Sequence, residues 1–305
     1  MDHQTGQEEL PKIRIAVLDS GVDVNDLMID IGIKQRRINC KKSKSFVHPN
    51  KKGPDNWRRD TCGHGTHVTQ LLLKTAPAAE IFVGKICTDK VINDQYMPGI
   101  SEAIYWATNE CDAHIISISF GYEDHDDLIE DALDHAISKG KLIIAAASNN
   151  GGLKGRSRPA SREGVICIHA TDGKGNKGKM SPSPLDRSDN FATLGVAVPL
   201  RWQNKSVFKS GTSFATPIAV GFAAAVLRFA QYRCNLDPRK TRILRRKRGM
   251  EAVFRKMARL RDGYDFIHPC GLWKSRFGDT DREKLIAEAE EAKTARVIED
   301  ALEDL

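Results

Sequence analysis

Short, apolar, β-branched runs recur along this chain, separated by longer amphipathic ones. IRIAVLD (13–19), EIFVGKI (80–86), HIISISF (114–120), KLIIAAA (141–147) and GVICIHA (164–170) are near-continuous apolar stretches of strand length. They read as strands covered on both faces. Between them HGTHVTQLLLKTA, GISEAIYWATNE and DDLIEDALDHAISKG carry helical spacing, the last closed by Gly140. Parallel neighbours require crossover connections, so this alternation constrains the fold more than any other feature. The expected architecture is α/β: three layers, α/β/α, around a mostly parallel central sheet. Working residues in such sheets collect at the carboxyl ends of the strands. That rule singles out Asp19, Ser119 and Asn149.

The flanking segments divide the chain into a flexible N-terminus (1–11), a main domain (12–275) and a charged helical C-terminal tail (276–305). The last is Glu/Ala/Lys-rich with weak amphipathicity and reads as an appendage, separable from the core at little cost in stability. The longest apolar run, 218–227, is half of the roughly 20 residues a membrane helix needs. The first residues, MDHQTGQEELPK, are polar and lack the apolar core of a secretory signal. The seven cysteines are scattered, odd in number and without a C-x-x-C pair, which favours reduced thiols and a cytoplasmic setting without membrane partners. The net charge of +7 is concentrated in RKTRILRRKRGMEAVFRKMARLR (239–261). We read that run as a solvated helix face balanced by the acidic tail rather than a nucleic-acid surface.

Four stretches carry chemistry together. VLDSG puts Asp19 at a strand end, CGHGTHV puts His64 at a helix start, AAASNNGG puts Asn149 beyond another strand end, and SGTSFATP puts Ser213 at the head of a long apolar helix. A serine hydroxyl becomes a nucleophile only beside a base, the base needs an orienting carboxylate, and the oxyanion needs a donor. One candidate exists for each role. Each residue also has a bland reading: Ser213 as an N-cap, Asp19 and Asn149 as turn residues, Cys62, His64 and His67 as metal ligands without a fourth. Those readings leave the order and spacing of the four stretches unexplained. Pro217 is expected in the first turn of its helix, where a missing N–H costs little.

These stretches resemble the subtilisin-like serine proteases, the subtilases, over about residues 13–263; LDSG, HGTHV and SGTSFATP are near-complete family motifs in the family's order. The resemblance implies Asp19 as orienter, His64 as general base and acid, Ser213 as nucleophile and Asn149 as oxyanion donor. It also implies that SISFG pairs with extended substrate, making Ser119, Phe120 and Gly121 walls of the specificity pocket. Departures are Ser148 where the family commonly has Gly, Thr69 and Gln70 where Ala and Gly are usual, and Ile218 where His is usual. The insertion that often holds calcium in secreted relatives is missing, so no cofactor is expected to be required and no calcium site is identifiable. The implied activity is intracellular cleavage of protein or peptide substrates. Asp19 lies too near Met1 for the long inhibitory pro-segment of secreted relatives, so the expectation is either the protease domain of a larger regulated signalling protein or a chain that folds unaided and is controlled by a regulatory domain or partner protein. The alternative is a catalytically silent subtilase-like scaffold.

Overall fold

The computed structural model describes residues 11–47, 56–89, 91–273, 281–303 and 305. The segment expected to be flexible lies outside them except for Pro11, as do residues 276–280 of the expected tail. In chain order the elements are β1 (Ile13–Asp19), α1 (Leu27–Lys34), β2 (Lys44–Ser45), α2 (His64–Thr75), β3 (Ala79–Lys85), α3 (Met97–Asn109), β4 (Ile115–Ile118), α4 (Asp127–Ser138) and β5 (Leu142–Ala146). There follow β6 (Val165–Thr171), β7 (Phe191–Leu194), β8 (Val198–Trp202), β9 (Lys205–Lys209), α5 (Thr212–Arg233), α6 (Pro238–Leu244), α7 (Lys247–Met257), β10 (Ala258–Arg261), β11 (Tyr264–Ile267) and α8 (Asp281–Ala301).

Nine strands form one sheet in the order β10-β11-β7-β6-β5-β4-β1-β3-β2, and every pairing in it is parallel except β10–β11. β8 and β9 form a separate antiparallel hairpin. The central strands feed two cores alternately, as a period of two requires. Ile15, Val17, Ile81, Val83, Leu142 and Ile144 face the core shared with α2, α5 and α7. Leu18, Phe82, Ile116, Ile143 and Cys167 face the core shared with α3 and α4. This is the expected three-layer α/β/α fold.

Strand order places the site. From β1 the chain runs to β3 on one side and then to β4 on the other, so β1 is where the winding reverses. The loops leaving the carboxyl ends of β1 and β4 diverge there and open a crevice. Asp19 is the last residue of β1.

Two expectations are corrected. α5 starts at Thr212, so Pro217 falls in its second turn, not its first. The absent N–H there removes the usual partner of the Ser213 carbonyl. Nor is the C-terminal helix a separable appendage. Ile298 and Leu302 of that segment are 0 % exposed and belong to the core that α5 and α7 share. Thr294 Oγ1 donates to the carbonyl of Leu272. The residues 294–295, 298 and 301–302 recur at helical spacing, so one narrow stripe of an otherwise charged helix is buried.

α5 is long and apolar enough to cross a membrane by length and composition, yet it is mostly buried at the centre of the protein.

Candidate active site

The end of β1 is tied to the start of α2 by paired contacts. Asp19 is 3 % exposed, and its Oδ1 accepts from the backbone N–H of Ser20 at 2.8 Å. The same oxygen lies 2.8 Å from His64 Nδ1. One residue further along each segment, Gly65 N–H donates to Ser20 Oγ at 2.9 Å. A side chain at Gly65 would come within 2.2 Å of the Gly21 carbonyl, so glycine permits this approach of helix to strand. With Nδ1 committed to a carboxylate, Nε2 is the nitrogen left for a reacting group. It has no hydrogen-bond partner among the described residues.

A residue that sequence reasoning passed over holds this helix. Asp60 is 7 % exposed and accepts from the backbone of Cys62, Gly63 and Thr66 and from the hydroxyls of Ser20 and Thr66. The helix's own N-cap, Gly63, offers no side chain, and Asp60 takes its place from three residues upstream. The signal in the sequence is an acidic residue just ahead of a helix start.

Charge sets the base. Burial alone would pull the His64 imidazole down, but the charge and hydrogen bond of Asp19 outweigh it, and the ring is held above the ordinary imidazole value. His67, one turn on, behaves oppositely. It packs against Trp202 and Phe214, and burial, aided by the charges of Lys209 and His64, depresses it to about 4. It is a neutral core histidine. Among the described residues no group of three or more His, Cys, Asp and Glu is placed to hold a metal ion.

Ser213 is the second residue of α5 and 8 % exposed. Its own backbone N–H has no partner among the described residues, whereas those of Thr212, Phe214 and Ala215 are taken by Asn149 Oδ1 and the Gly211 carbonyl; the positive end of the helix dipole lies beside its hydroxyl. Asn149 is anchored on the same helix start, because its Oδ1 accepts from Thr212 N–H at 2.8 Å. That bond fixes the orientation of the amide and leaves Nδ2 as an uncommitted donor. Asp19, His64, Asn149 and Ser213 line one cavity of about 640 Å³, together with Ser119, Phe120 and Gly121. Ser119 Oγ is buried there without a partner. The structure thus gathers every site residue read from the sequence around one space. It does not join Ser213 to His64: no hydrogen bond connects them among the described residues.

Of the departures from the family pattern, Gln70 and Ile218 find partners, whereas Thr69 Oγ1 is buried without a hydrogen-bond partner. Gln70 donates to Asp26 and to the carbonyl of Arg201, fastening α2 to the head of α1 and to β8. Ile218 packs with Leu71, Val198, Leu200 and Phe214 in a small core. Ser148 takes φ +138°, a region that favours glycine.

A carboxylate and imidazole in contact at the switch point of a parallel α/β sheet share one cavity with a helix-start serine. The sequence profile of the subtilase family (Peptidase S8) matches residues 11–255. The chain belongs to that family of serine endopeptidases. It is 33 % identical over 192 residues to the subtilisin-like protease het-Q2 of Podospora anserina, covering 58 % of this chain and 52 % of that protein. It is 30 % identical over 234 residues to a thermostable alkaline protease of Halalkalibacterium halodurans, covering 73 % of this chain and 59 % of that one. The chain therefore spans between half and three-fifths of the length of these curated relatives. Among solved structures, the prenylagaramide maturation protease PagA superposes with a TM-score of 0.62 over 93 % of this chain and 94 % of its own. Its 24 % sequence identity makes that a likeness of fold.

Proposed function

We propose that this chain is an intracellular serine endopeptidase working through Asp19, His64 and Ser213. His64 Nε2 takes the Ser213 proton as Oγ bonds to the scissile carbonyl carbon. Asn149 Nδ2 and the backbone N–H of Ser213 hold the oxyanion. Collapse breaks the C–N bond, His64 returns the proton to the leaving amine, and water, activated by the same imidazole, hydrolyses the acyl-enzyme. The steps use side chains and water, with no cofactor. The observation that carries this reading is the 2.8 Å Asp19–His64 contact opening on the cavity that Ser213 and Asn149 share.

An intracellular setting is supported by the thiols, since all seven cysteines are free. One observation favours a second reading, a catalytically silent scaffold: Ser213 and His64 are not hydrogen-bonded. A fluorophosphonate probe separates the two, because it reacts rapidly only with a serine that has both a base and an oxyanion site. Labelling of the wild type at neutral pH, abolished in Ser213→Ala and His64→Ala, is the expected result. A folded wild type that stays unlabelled, alone and with candidate partner domains added, establishes the scaffold.

A further inference from the structure

The cavity in front of Ser213 carries charge opposite to that of the chain. The sequence has a net charge of +7. The described residues lining the cavity nevertheless include five carboxylates and no lysine or arginine. Two are already matched, Asp19 by His64 and Glu123 by Lys154. Asp89, Asp94 and Asp124 stand in no ion pair among the described residues, and Asp89 accepts only the Tyr96 hydroxyl. Asp89 and Asp94 follow β3, whereas Asp124 follows β4, so the free charges come from both loops that flank residues 119–121.

The arginines beyond Asn149 are turned away. Arg156 donates to Asn190 Oδ1 and the Asp189 carbonyl, and Arg158 pairs with Glu130. The more buried part of the lining includes the half-buried Ile92, Met97 and Phe120, which offer apolar surface, and Ser119, 1 % exposed with its Oγ unpartnered. A site that combines apolar surface with carboxylates matches a side chain with a hydrocarbon stem and a cationic head.

We propose that the preferred substrate is a polypeptide bearing lysine or arginine within a few residues of the scissile bond. Its stem lies on Ile92, Met97 and Phe120, and its head sits among Asp89, Asp94 and Asp124. This rests on the endopeptidase reading of the same cavity.

The test uses the full chain and fluorogenic peptides identical except for Lys, Gln or Glu at single positions on either side of one bond. At low salt, kcat/KM for the best Lys peptide should exceed its Gln counterpart by about tenfold, since each exposed charge pair is worth a few-fold. Glu should fall below Gln, and about 0.5 M salt should shrink the Lys/Gln ratio. In the folded triple variant Asp89→Asn, Asp94→Asn, Asp124→Asn that ratio should approach one. A wild-type ratio near one, or a preference the triple variant retains, overturns the proposal while leaving the peptidase reading intact. A second arm measures binding of labelled, otherwise identical peptides to Ser213→Ala by anisotropy. The order Lys, Gln, Glu is expected there even if the wild type cleaves nothing. Absent binding, or binding without that order, overturns the proposal.

Discussion

Asn149 offers the sharpest quantitative test, because its two amide atoms do different jobs. Oδ1 holds the start of α5 through Thr212 N–H at 2.8 Å, and Nδ2 is free for the oxyanion. Asn149→Ala removes both. Losing the donor should lower kcat on the order of 100- to 1,000-fold, or about 2.7–4 kcal/mol of transition-state stabilisation. KM should stay within about threefold, because the bond strengthens only as the oxyanion forms. Losing the acceptor should cost a further ~1 kcal/mol of stability, the worth of a helix-start contact. For a chain of this size that is a fall in Tm of roughly 2–4 °C. Asn149→Asp separates the two effects: it keeps an oxygen for Thr212 and so keeps Tm near wild type. It also puts a negative charge where the oxyanion forms, so kcat should fall at least as far as in Asn149→Ala. The assay is steady-state cleavage of one fluorogenic peptide, with active sites titrated by fluorophosphonate and melting followed on the same samples. A kcat within threefold of wild type in either variant refutes the oxyanion role.

Fluorophosphonate labelling needs neutral His64, so its rate should rise with pH through a midpoint above about 6.5, the ordinary imidazole value, since Asp19 holds the ring up. Asp19→Asn should lower both the midpoint and, on the order of 10⁴-fold, the plateau rate; an unmoved pH profile would separate Asp19 from the base. Ile298→Ala, in the fully buried stripe of α8, should cost about 2–5 kcal/mol in urea unfolding, and a loss under ~0.5 kcal/mol would restore the separable tail. Asp60→Ala should lower kcat with little change in KM and destabilise by about 3 kcal/mol, because it strands buried donors at the head of the histidine helix. Asp60→Asn, which keeps one acceptor oxygen, should recover part of both.

Legibility in the sequence followed burial. β1 and β3 to β6 are covered on both faces, so their continuous apolar runs marked them to within about two residues at either end. β2 is two residues long and β9 largely exposed, so neither leaves a run to read. Asp19, His64, Asn149 and Ser213 were legible because glycines and strand ends put them where chemistry is done. Asp60 was not, since its role depends on a loop folding back over the start of α2. The buried stripe of α8 was present as spacing, but the Glu/Lys-rich residues around it hid it. Cleavage preference was not legible because the acidic YEDHDD (122–127), after the expected substrate strand, favours basic substrate residues, whereas GRSRP (155–159), beyond Asn149, favours acidic ones. In three dimensions the arginines of the second are consumed by Glu130, Asp189 and Asn190, so that stretch lends the cavity only Ser157, whereas the first lends it Glu123 and Asp124.

The site is built as two rigid halves with one link left open. On one side Asp60 caps α2, Ser20 bonds Gly65, and Gln70 ties the same helix to Asp26 and Arg201, so His64 is held from three directions. Thr69 and Gln70 stand where the family usually has Ala and Gly, yet the Asp19–His64 bond survives, because Gln70 replaces close packing with hydrogen bonds. On the other side Thr212 locks Asn149 to the helix that carries Ser213, and Ser148 accepts a φ of +138° beside it. A strained residue persists only where its surroundings over-determine it. The open link is Ser213 to His64, and the endopeptidase reading requires it to close by side-chain movement between these two anchored segments. Ser148→Gly tests this rigidity directly. Relief of strain should raise Tm, with about 1 kcal/mol gained. The freed backbone should let Asn149 wander, so kcat should fall while KM holds. A variant that gains stability and keeps full kcat would show that the strain serves no purpose at this site.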